Sequence, residues 1–103
     1  MSNAKNLRRI FEAYGELMHL KATCQMEGSK DPYHPKYPVY INDLNFVCAC
    51  MMDIFRYLSG EDDELIDYVD WDEFKMRWKF LTKCVHISCD VVDLVEKKMN
   101  GEW

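Results

Sequence analysis

Five cysteines and three histidines are the side chains of this chain best suited to covalent or metal chemistry. Cys48-x-Cys50 and Cys84-x-His86, with Cys89 nearby, are potential zinc ligands, yet no C-x-x-C spacing occurs. Both pairs fall in helical patterns, where residues two apart point in divergent directions. A thiol nucleophile assisted by His86 or His19 would need a strained turn, a helix N-terminus or an orienting carboxylate beside it, and no such setting marks any cysteine. The odd number of cysteines, with Cys48 and Cys50 inside an apolar run, is unlike a secreted disulfide framework. Buried, reduced thiols are expected, with no metal and no cofactor.

Carboxylates are the second concentration. Residues 61–73, EDDELIDYVDWDE, carry eight acidic and no basic side chains, whereas residues 1–60 carry six acidic and seven basic ones. A calcium loop drawn from Asp62 to Glu73 would need a central glycine, and none is there. One or two carboxylates suit a helix start through the macrodipole. The surplus acts as solvated charge or as a negative field that steers a basic partner. Glu61, Asp62, Asp63, Glu64 and Asp67 are therefore the first candidate partner-binding residues. The second are Tyr33, Tyr37 and Tyr40 in Tyr33-His34-Pro35-Lys36-Tyr37-Pro38-Val39-Tyr40, a proline-stiffened segment that serves as a contact loop or folds back as a lid on the core. No glycine-rich phosphate loop, serine-histidine-acid set or basic patch with interleaved aromatics is present. Lys75, Arg77, Lys79 and Lys83 read as charge balance for the acidic block.

Positioning these residues falls to helices. At 103 residues, 49% hydrophobic and 30% charged, the chain is a single domain, 1–103, able to bury a core. From Asn3 to Glu27 the apolar residues Leu7, Ile10, Phe11, Tyr14, Leu17, Met18 and Cys24 recur at three- and four-residue steps, predicting a helix that Gly28 stops. All three prolines lie in residues 28–40 and make that stretch a connector. Asn42 or Asp43 is expected to cap a central helix running to Ser59, apolar almost all round, interrupted by Asn45, Asp53 and Arg56 and ended by Gly60. Leu65, Ile66 and Val69 are spaced for a short helix. Asp70 with Glu73 forms a capping box for a long C-terminal helix. On it Trp71, Phe74, Trp78, Leu81, Val85, Val92, Val95 and Met99 follow a heptad pattern, beside a second stripe of Met76, Phe80, Cys84, Ile87, Val91 and Leu94. The branched residues around Ser88 make a break there the alternative. The expected fold class is all-α: a bundle of three to four helices with a long C-terminal helix.

Unbroken, that last helix would run about 40 Å in a domain whose radius of gyration should be about 13 Å. The overhang and its two apolar stripes predict a homodimer. A formal net charge of -5 argues against nucleic acid and anionic membrane surfaces as partners and for a protein with a basic surface. No apolar stretch reaches the ~20 residues needed to span a bilayer, and no signal peptide is legible, so a cytoplasmic location is expected. Together these features predict a small acidic helical protein-protein interaction module of the inhibitor, immunity or adaptor kind, phage-type proteins among them, acting by occupying a partner's surface without catalysis. The alternative is a helical-bundle enzyme that binds a metal or nucleotide through carboxylates, with Asp53 as its best single ligand.

Overall fold

The computed structural model describes residues 4–28, 40–61 and 69–103, the side chains of 25–28 excepted. Four helices follow in order: α1 (Ala4–Gly28), α2 (Ile41–Ser59), α3 (Trp71–Cys84) and α4 (Val91–Met99). The described residues contain no strand. None of the four helices is long and apolar enough to cross a membrane.

The centre is α2, which packs against α1, α3 and α4. Its buried residues, among them Leu44, Val47, Met51, Ile54 and Leu58, occupy more than one side of the helix because it has a neighbour on more than one side. From α1 come Ile10, Ala13 and Leu17, from α3 Phe74, Trp78 and Leu81, and from α4 Val91, Leu94 and Val95. Along α3 the rings of Trp71, Phe74 and Trp78 lie nearly parallel, with centroids 5.4 and 5.9 Å apart and interplanar angles of 11° and 13°. This is the ladder that residues three and four apart build on a helix face.

The helix ends follow local chemistry. Gly60, at φ 90°, closes α2: its amide donates to the Tyr57 carbonyl, and the Glu61 amide donates to the Arg56 carbonyl. That left-handed stop is the one expected of a glycine there. At the other end Tyr40 takes the cap position with no side-chain hydrogen bond, and Asn42 and Asp43 lie inside the first turn. Asp43 is used instead against Arg77, whose Nη1 stands 3.3 Å from Asp43 Oδ1 while its Nε donates to Glu73 Oε1 at 2.9 Å. The same guanidinium lies 4.9 Å from the centre of the Phe46 ring, so one arginine ties α3 to the start of α2. Glu73, spent on Arg77, leaves the capping box half made: Asp70 accepts from the Glu73 amide at 3.1 Å.

The expected long C-terminal helix is broken. Val85 is extended, at φ -136° and ψ 151°, and helix resumes only at Val91. Asp90 accepts a hydrogen bond from the Asp93 amide at 3.2 Å, capping a new helix, and the Ser88 amide donates to Glu16 Oε2 on α1 at 3.1 Å. Branched Val85 and Ile87 accept the extended backbone readily. The break divides the second apolar stripe between surface and core. Both halves of the break reach the core, through Trp78 and Leu81 on one side and Val91 and Leu94 on the other, whereas Met76, Phe80 and Cys84 stay exposed on α3. The long element is α1, at about 37 Å. With α3 reduced to 14 residues, the overhang from which a homodimer was expected does not exist.

Candidate interaction site

Of the expected partner-binding residues, Tyr33, Tyr37, Asp62, Asp63, Glu64 and Asp67 lie outside the described residues. So do Leu65 and Ile66 of the expected short helix; Val69 is buried and non-helical. Glu61 is exposed beside Arg56 at 4.0 Å, a pair too solvated to hold it in one place. Tyr40 is half-buried against the core. Its hydroxyl pKa is raised first by burial and then by the neighbouring Cys24 thiol, to which it is hydrogen-bonded, with Cys84 adding to the effect.

The thiols are held as structural side chains. Burial pushes Cys48 and Cys89 up, with partial relief from Lys21 and Arg9. Cys50 is pushed up to about 11 by burial and by the negative charge of Asp53, Glu73 and Asp70. Among the described residues no three His, Cys, Asp or Glu side chains could share a metal ion. Cys84 alone of the five cysteines is exposed. A disulfide reagent at neutral pH should therefore modify one thiol quickly, and the rest only when the chain unfolds. Replacing Cys84 with serine should remove the fast phase; a fast phase that survives it would place a second thiol at the surface.

The surface holds what periodicity alone missed. Phe11, 65% exposed, packs edge-on against Phe55 of α2 at 6.3 Å between ring centres. Met52 on α2 is 47% exposed, and Met18, two turns beyond Phe11 on α1, is exposed as well. Phe11, Tyr14, Met52 and Phe55, with Ile10 and Met51 beneath, enclose an apolar hollow of about 60 Å³. Gly15 lies between Phe11 and Met18 on the same helix face, and a Cβ added there would meet nothing within 4 Å. A mid-helix glycine costs about 1 kcal/mol relative to alanine. Nothing inside the described fold requires it, so Gly15→Ala should stabilise the isolated chain by about 0.5–1 kcal/mol in denaturant titration; a loss of stability would mean that the site is filled.

The signal for this patch was in the helix phase. At about 100° per residue, Phe11 and Met18 are each one position off the line Ile10, Ala13, Leu17 and Cys24 that is buried. Met52 falls on the line of Asn45, Ala49 and Arg56, the polar side of α2. No known protein family, curated protein or solved structure matches this chain. Function has therefore to be read from the surface itself. Glu61, the first residue of the acidic segment, follows Phe55 by six positions in the chain. The second apolar stripe, Met76 and Phe80, ends at Cys84 close to Tyr40, where the aromatic segment joins α2.

Proposed function

We propose that this chain is a small acidic helical interaction module of the inhibitor, immunity or adaptor kind, which acts by seating the Phe11–Met52 face of α1 and α2 on a partner protein. The observation that carries the reading is Phe11: an aromatic ring more than half exposed, set against Phe55 and Met52 over an apolar hollow. Exposed aromatic and methionine side chains grouped in this way characterise the centres of protein interfaces. Gly15 adds a stretch of bare helix backbone on which a partner element can lie closely. The sequence concentration of acid in residues 61–73 supports a partner with a basic surface, with the charge speeding encounter more than strengthening the complex. Among the described residues no carboxylate set favours the metal-dependent enzyme reading.

Affinity capture from the source organism, with wild-type bait beside a Phe11→Glu, Met52→Glu bait, tests the reading. A protein retained by the first and absent from the second supports it; identical recovery on both rejects this face. Gly15→Ala bait, folded and more stable, should retain that partner less well.

A further inference from the structure

A separate concavity of about 520 Å³ opens between the C-terminal half of α3 and the turn that leads into α4. Its size falls within the roughly 300–1,000 Å³ of small-molecule sites. Apolar wall is supplied by Trp78, Val85, Ile87 and Val92, and the rim carries Lys75, Lys79 and His86. In a chain of net charge -5 this local balance runs against the whole. Asp90 is the carboxylate in the lining, and it accepts the Asp93 amide at the start of α4. Thr82 donates its hydroxyl proton to the Lys79 carbonyl at 3.1 Å. Lys79 and His86 have no ion pair among the described residues, and Lys75 meets only the almost fully exposed Asp72 at 3.6 Å. Two lysine ammonium groups with weak partners, and an imidazole that can donate beside them, next to an apolar wall are what an amphiphilic acid requires: charge-assisted hydrogen bonds to its anionic group, strengthened where the wall excludes water.

We propose that this cleft binds a small organic carboxylate, its ring-sized apolar body against Trp78, Val85 and Val92 and its carboxylate between Lys75, Lys79 and His86. The site is distinct from the Phe11–Met52 face. The test is a titration of the folded chain followed by amide NMR with two probes of the same shape, naphthalene-2-carboxylate and its neutral alcohol, naphthalene-2-methanol. The carboxylate should give saturable shifts confined to residues 75–92, with a dissociation constant on the order of millimolar or below. The alcohol should bind about ten-fold more weakly. A Lys75→Gln, Lys79→Gln variant, with good helix formers at two positions on the outside of α3, should lose about ten-fold in carboxylate affinity while its affinity for the alcohol stays the same. Equal binding of the two probes, equal carboxylate binding by the variant, or shifts centred on Phe11 and Met52 would each overturn the proposal.

Discussion

Phe74→Ala should destabilise the domain by about 3–5 kcal/mol, the largest effect of any single truncation in α3. Phe74 is fully buried and lies between Trp71 and Trp78, so removing its ring deletes two stacked contacts and opens a void beside α2. The helix itself keeps its cap at Asp70 and its ion pair from Arg77 to Glu73, so the loss is one of packing and not of helix formation. Domains of this size are stable by about 5–15 kcal/mol, and the truncation removes a large share of that, lowering the melting temperature by roughly 15–30 °C. Denaturant titration measures it directly, followed by the combined emission of Trp71, Trp78 and Trp103. Phe74→Leu, which restores most of the volume, should recover most of the loss. A cost below about 1 kcal/mol for the alanine variant would mean that Phe74 is not at the centre of the core.

Phe11→Glu should have the opposite signature: little effect on folding and a large one on association. Its ring is 65% exposed and rests on Phe55, so the isolated chain loses one edge-to-face contact and gains a solvated carboxylate on a surface that already carries Glu12 and Glu16. In a complex the same carboxylate would be buried against apolar surface with no partner, which is why truncation or charge at an aromatic anchor costs about 2 kcal/mol or more in binding, some thirty-fold in affinity. Reversing Glu61, Asp62, Asp63 and Glu64 to lysine acts differently. It should slow association and abolish its dependence on salt while leaving the melting temperature nearly unchanged, because steering works at a distance and is screened by ions.

How far the residues declared their own arrangement differs from one element to the next. The helices α1 and α2 follow from apolar spacing, Gly60 marks the end of α2 and Asp70 the start of α3, whereas the cap of α2 falls at Tyr40 and not at Asn42 or Asp43. The break after Cys84 was legible only as the alternative that the branched residues around Ser88 offered: Val85 and Val92 are seven residues apart, so the heptad pattern crosses the turn with its phase intact, as if the helix continued. Asp90, with the Asp93 amide three residues on, was the available sign of a new start. Interior contacts such as Arg77 reaching Asp43, or Ser88 reaching Glu16, depend on how helices are juxtaposed and leave no mark in local spacing. For the surface, a stripe drawn three and four residues apart is too wide on α1: it takes in Phe11 and Met18 with the buried residues, and both are exposed, as are Met76 and Phe80 of the second stripe on α3. Lys75 and Lys79, which read as charge balance, line a cleft that α3 forms together with the segment leading into α4.

Recognition of a partner through the Phe11–Met52 face is isolated by the affinity of the captured partner for wild type, for Phe11→Glu and for Met76→Glu, all three first shown to unfold at similar temperatures. Met76 is as exposed as Phe11, at 64%, but lies on the outer side of α3. A loss of about thirty-fold or more is expected for Phe11→Glu and little change for Met76→Glu. The reverse order, or an unaltered affinity for Phe11→Glu, would contradict it.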